Sequence, residues 1–172
     1  MADVAGRAGV GVGTLYHHFP DKRAMLLELI DAWAERVGSR QQTDLDRERF
    51  LGDDPRAAIG HWLRRSYDRL RKRPSLYLVV LSLAERDPEV RARWAELQRL
   101  GVERLAALVT FGQGRGWMRS ELDAEATAFL IHHAIDMTAT QLLVLDRPPL
   151  DPDRVLEALS DMICRAILEE QR

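Results

Sequence analysis

Between Gly11 and Lys22 the chain gathers side chains suited to gripping a polyanion and reading it at close range. Thr14 carries a hydroxyl and a methyl, which fit a phosphate oxygen or a thymine methyl. Tyr16 joins an apolar ring, which can pack, to a hydroxyl that can reach phosphate. His17 and His18 can donate to phosphate or accept from a base edge. Gly13, with no side chain, lets the backbone come close to whatever lies in front of it. A metal site built on the paired histidines is not expected, because neighbours on a helix point about 100° apart. No Cys or carboxylate stands at ligand spacing with them either.

These groups must be held by a short helix, a glycine turn and a second short helix. Ala5 and Ala8, three apart, leave one face of the first helix small, so the second can cross near it. Gly9 can take the left-handed turn position at no steric cost. Val10 and Leu15 are expected to plug the crossing, with Leu15 and Phe19 in the core. Asp21 is placed to cap the next helix. The run from Ala8 to Lys22 resembles the helix-turn-helix of the TetR/AcrR family of bacterial regulators, whose pattern is Ala-Gly-Val-Ser-x-Gly-Thr-Leu-Tyr-x-His/Tyr-Phe-x-x-Lys. Gly11 stands where that family usually has Ser, a mild departure because Gly is an acceptable N-cap.

The resemblance implies DNA contacts at Gly11, Val12, Gly13, Thr14, Tyr16, His17, His18 and Lys22, with Lys22 gripping the backbone. It also implies a further helix and a basic arm before this pair, so that Met1 would fall inside the family's second helix. The first helix of the module would then be missing. Loss of that packing partner would weaken DNA binding in this form, since a helix's worth of burial is worth several kcal/mol at about 25 cal/mol per Å².

Composition bounds the remainder. At 172 residues and 46% hydrophobic the chain can build a substantial core, and its net charge of −2 argues against indiscriminate coating of nucleic acid. A lone Cys164 excludes a disulfide within the chain and reads as a buried structural thiol. No secretory leader or membrane-length apolar run is visible, which points to the cytoplasm.

The pattern after the motif is helical, predicting an all-α protein. Leu26, Ile30, Trp33 and Val37 stripe a helix over 22–38, which divides a helix-turn-helix module (1–38) from a helical effector-binding and dimerisation domain (39–172). Residues 39–54 read as a polar loop. Asp54-Pro55 and Asp87-Pro88 read as helix starts, each an N-cap followed by proline at the first position. The helix from Pro55 should stop at Pro74, and residues 75–84 are apolar enough for a buried helix. The helix from Pro88 is expected to fray at Gly112, Gly114 and Gly116, a run that lacks the preceding strand of a phosphate-binding loop. Arg69, Arg71, Lys72 and Arg73 suit the negative end of a helix dipole.

The last two helices, over 123–145 and 151–169, are apolar round most of their circumference, so one chain can cover only part of each. A symmetry mate is expected on the rest, with Ala134, Thr138, Ala139, Leu142, Leu159, Met162, Ile163 and Ala166 as candidate contacts. In the family that this chain resembles, such a pair forms a four-helix dimer interface. A two-fold dimer implies a palindromic operator. An interior pocket is expected to draw on Trp62, Tyr67, Tyr77, Trp94, His133 and Gln141, with Phe111, Phe129 and Met137 as apolar lining. It would suit an apolar effector bearing one or two hydrogen-bonding groups.

The expected protein is thus a homodimeric, sequence-specific transcriptional regulator, a repressor released by a small molecule, needing neither cofactor nor metal. The alternative is a helical ligand-binding or dimer-partner protein that has lost DNA binding. An enzyme is not expected, for no triad, facing carboxylate pair or ligand cluster emerges.

Overall fold

Three aspartates set the starts of the long helices. Asp54 Oδ1 accepts from Ala57 N at 2.9 Å, Asp87 Oδ1 from Glu89 N and Val90 N at 3.0 and 3.3 Å, and Asp151 Oδ1 from Asp153 N and Arg154 N at 2.9 and 3.2 Å. Each is followed by a proline, whose missing N–H would have been an orphan of the first turn anyway. Asp123 Oδ1 does the same for Ala126 N at 2.8 Å without a proline.

The computed structural model describes residues 1–44, 52, 54–72, 74–144 and 150–169. Among these are eight α-helices: α1 (Ala2–Ala8), α2 (Val12–His18), α3 (Lys22–Asp44), α4 (Pro55–Arg71), α5 (Pro74–Ala84), α6 (Pro88–Gly114), α7 (Ala124–Val144) and α8 (Pro152–Ile167). No helix of the described residues is long and apolar enough to cross a membrane. Contacts divide the chain into two compact units, Met1–Ser39 and Arg40–Arg172.

In the first unit Gly9 ends α1 at φ 70°, a left-handed conformation that a side chain would strain. Val10 N then returns to Ala5 O at 3.0 Å. Ala5, Leu15, Leu27 and Ile30 are buried. Val10 does not plug the crossing; it lies exposed, and Leu15 fills that role with Ala5. The third helix buries Leu27 where Leu26 was expected and runs on to Asp44 through residues expected to be loop. The side chains of Trp33 and Val37 lie outside the described residues, as does Tyr77 on α5.

The second unit is organised about α6, which packs along α7 and against α5, while α4 packs on α8. Its core joins Ile59, Trp62 and Leu63 of α4, Leu105, Leu108 and Val109 of α6, Ala128 and Ile131 of α7, and Ile163, Cys164 and Ile167 of α8. Burial pushes the Cys164 thiol up from its ordinary value, away from thiolate chemistry. Gly112 does not mark a frayed end. It is buried within α6, where Met118 packs so closely that an added Cβ would stand 2.7 Å from its Cγ and Sδ. The chain beyond α6 is tied down twice. Gln113 Nε2 donates to the carbonyls of Arg119 and Leu122 at 2.9 and 2.8 Å, and Met118 forms a single antiparallel bridge with Leu168.

Candidate nucleic-acid interface and outward helical face

Within the first unit, α2 turns its small and polar residues outward because one apolar side chain, Leu15, anchors it. Gly11 caps the helix with extended backbone (φ −67°, ψ 145°) and accepts from Leu15 N at 3.1 Å through its carbonyl, without a side-chain cap. Val12, Gly13, Thr14, Tyr16, His17 and His18 are all exposed, Tyr16 to 50%. An added Cβ at Gly13 would meet nothing within 4 Å, so the backbone there is open to close approach. Asp21 Oδ1 accepts from Ala24 N at 2.7 Å, which starts α3 and leaves Lys22 exposed in its first turn. The eight residues predicted from sequence therefore stand on or beside one short, solvent-facing helix.

That helix has seven residues, about 10 Å of rise, and an α-helix, about 10–12 Å across with its side chains, is of a size to enter a DNA major groove about 12 Å wide. The unit carries four Lys and Arg against five Asp and Glu over residues 1–39. Attraction to DNA must then come from where the polar groups sit and not from a bulk positive field. His17 and His18 meet edge to face with ring centroids 5.5 Å apart. Among the described residues no group of three or more His, Cys, Asp or Glu could hold a metal ion.

In the second unit the predicted effector-lining residues separate into two sets. Trp62 and Tyr67 are buried, Tyr67 with Ala139 and Leu156 in a second apolar cluster. Trp94 and Phe111 are half-buried, and Arg115 lies over the Phe111 and Trp117 rings at 5.3 and 5.7 Å. Phe129, His133, Met137 and Gln141 were expected inside but point outward. Spaced four apart, they line one exposed face of α7, with Phe129 at 52% and Met137 at 62% exposure. The face is ordered along its length: Phe129 and His133 stack at 4.0 Å between ring centroids, His133 Nδ1 hydrogen-bonds the Phe129 carbonyl at 2.9 Å, and Gln141 Nε2 reaches Met137 Sδ at 4.0 Å.

The predicted pairing residues separate as well. Ala134, Met162 and Ala166 are exposed, and Thr138 is half-buried. Ala139 and Ile163 instead belong to the chain's own core, and Leu142 and Leu159 pack against it. Leu130, not singled out from sequence, is 68% exposed, as is Met162. Exposed Phe129, Leu130, Ala134 and Met137 on α7, together with Met162 and Ala166 on α8, make the outward apolar surface of these helices.

Sequence reasoning also missed Gln98 and Gly101 on α6. Gln98 binds both His132 and Asp136, and Gly101 underlies the His132 ring. A glycine in the apolar stripe of a long helix was the available signal, since Gly costs about 1 kcal/mol there and close packing is a reason to keep it.

Comparison with known proteins accords with this geometry. Residues 1–29 match the sequence profile described as bacterial regulatory proteins, tetR family. The HTH-type transcriptional regulator EthR of Mycolicibacterium smegmatis is 25% identical over 165 residues, covering 96% of this chain and 75% of EthR. A Saccharomonospora viridis protein described as a transcriptional regulator, solved in complex with choline, superimposes with a TM-score of 0.82 at 24% identity over 98% of this chain and 86% of that one. The transcriptional regulator FadR from Bacillus subtilis, solved with stearoyl-CoA, gives 0.74 at 20% identity, covering 95% and 86%.

Proposed function

We infer, from its membership of the tetR family of bacterial regulatory proteins, that this chain is a transcriptional regulator that acts as a dimer on a palindromic DNA operator and is released by a small-molecule effector. The observation that carries the DNA reading is the glycine-turned pair α1 and α2, which leaves Thr14, Tyr16, His17 and His18 exposed on a helix anchored by Leu15. Thr14 and Tyr16 serve phosphate and base-edge contacts, Gly11, Val12 and Gly13 permit close approach, and Lys22 grips the backbone beside them.

Pairing of two copies is assigned to the outward surface of α7 and α8. Phe129, His133, Met137 and Gln141 join Ala134, Thr138, Met162 and Ala166 in that role, because exposed apolar side chains gathered on two helices are what a symmetry mate would cover. The effector site keeps Trp62, Tyr67, Trp94 and Phe111 from the sequence-based set. The relatives solved with choline and with stearoyl-CoA carry very different molecules, so the chemistry of this chain's effector must be read from its own residues.

Selection of bound duplexes from a random pool tests the reading. A palindromic consensus, bound with a salt-dependent affinity that falls on Thr14→Ala without loss of folding, is the expected result. Equal affinity for all duplexes would overturn it.

A further inference from the structure

Facing α6, beside the exposed stripe of α7, lies a polar set that neither DNA contact nor pairing uses; its His132 ring meets His133 of the stripe edge to face, 5.5 Å between centroids. The side chains of His132 and Asp136 are only 15% and 23% exposed. His132 Nε2 hydrogen-bonds Gln98 Oε1, and Gln98 Nε2 donates to Asp136 Oδ2 at 2.8 Å. Because an amide oxygen can only accept, Nε2 carries the imidazole proton and Nδ1 is the site a second proton must take. The ring lies against Gly101, where an added Cβ would stand 2.5 Å from its Cε1. Helix α6 thus meets this ring at the bare backbone of Gly101 and at the neutral amide of Gln98.

The surrounding charges are few. Asp136, 3.7 Å from Nε2, and His133 act on His132 from its own helix. On α6, Glu96, Arg99 and Glu103 are exposed and pair with one another. No charge on α4, α5 or α8 among the described residues contributes to the shift of His132.

We propose that Gln98, His132 and Asp136, seated on Gly101, form an acid-sensitive joint between α6 and α7, in which the neutral imidazole holds the helices in register and a proton from solvent at Nδ1 loosens them. Burial holds the His132 imidazole below its ordinary value, Asp136 pulls the other way and His133 adds to the lowering. The unfolded chain then binds this proton more readily than the folded one. The joint's contribution is complete above the ordinary histidine value, about 6.5, and is lost as pH falls below it. Since the His132 ring lies against His133 of the outward stripe, loosening also disturbs the pairing surface. That last step rests on the pairing reading given above.

The test compares the full chain with His132→Gln, which keeps a side-chain donor for Gln98 but cannot take the proton. Between about pH 7.5 and about pH 5.5 the wild-type melting midpoint should fall by about 2–4 °C more than that of the variant. Equal falls would overturn the joint. Histidine ring titration by NMR gives a second measure that does not depend on the variant's stability. His132 should titrate below the ordinary value and lower still in Asp136→Asn, whereas an ordinary or raised value in the wild type would also overturn it. Sedimentation separates the two readings. If both proteins are monomers at the higher pH, pairing fails and the midpoints still judge the joint. If both are dimers, weakening on acidification in the wild type alone supports the link to pairing, and equal weakening overturns that link.

Discussion

The two units of the chain use their helices in opposite ways. In Met1–Ser39, α2 buries Leu15 and leaves Thr14, Tyr16, His17 and His18 exposed. In Arg40–Arg172, α4, α6 and α8 contribute whole apolar faces to one core, and Leu63 and Cys164 are almost inaccessible. The contrast teaches where substitutions should be felt. Side chains of the second unit's core should set stability, whereas those of α2 should set affinity and leave stability almost untouched.

The largest expected effect tests the stability half of that contrast. Leu63 is 1% exposed within the cluster of Ile59, Trp62 and Ile163, so Leu63→Ala removes buried methyls and leaves a cavity. The expected loss is about 2–5 kcal/mol in urea unfolding. A loss below about 1 kcal/mol would mean that this core collapses round the gap, and the contrast would blur.

How far each unit was legible follows from the same contrast. The turn at Gly9 and the cap at Asp21 depend on neighbours a few residues away, so a short pattern contained them. The starts at Asp54-Pro55 and Asp87-Pro88 were readable for the same reason. The rotation of α7 was not readable. It is apolar nearly all round, and periodicity cannot choose a face when every face qualifies. Aromatic and long side chains at Phe129 and Met137 suggested an interior. Packing instead turned the small and branched Ala128, Ile131 and Ala139 inward, letting α7 lie close against its neighbours. Helix α3 overran its expected end because Arg40, Gln41 and Gln42 carry no apolar stripe, although nothing in them opposes helix.

Next in size is the pairing surface. Leu130 is 68% exposed and makes no part of the chain's core, so Leu130→Asp should fold normally. If a second copy covers this residue, the variant buries an unpaired carboxylate and association should weaken at least about a hundredfold by sedimentation. Unchanged association would move the interface elsewhere and leave the exposed stripe of α7 without its assigned role.

Thr14→Ala brings the test to α2. Thr14 is exposed, so unfolding should stay within about 0.5 kcal/mol of wild type. Operator affinity should fall about tenfold, the scale of one hydrogen bond to a charged group. A large stability loss with affinity intact would reverse the division of labour between the units.

The smallest effect concerns Gly11, the residue at which the sequence departs from the family pattern. It caps α2 with extended backbone and no side-chain bond. Gly11→Ser would supply a hydroxyl for an orphan N–H of the first turn, and an added Cβ there would meet Thr14 Oγ1 at an ordinary 3.6 Å. The expected gain is a few tenths of a kcal/mol, roughly 0.3, visible as a small rise in helicity or midpoint of an isolated transition. Because Gly11 is itself among the proposed DNA contacts, the same variant separates its two roles. A gain in stability with operator affinity unchanged makes Gly11 a cap and nothing more. A gain in stability with affinity reduced means that the bare backbone at this position is what meets the DNA, and that the chain keeps glycine there at some cost to the helix.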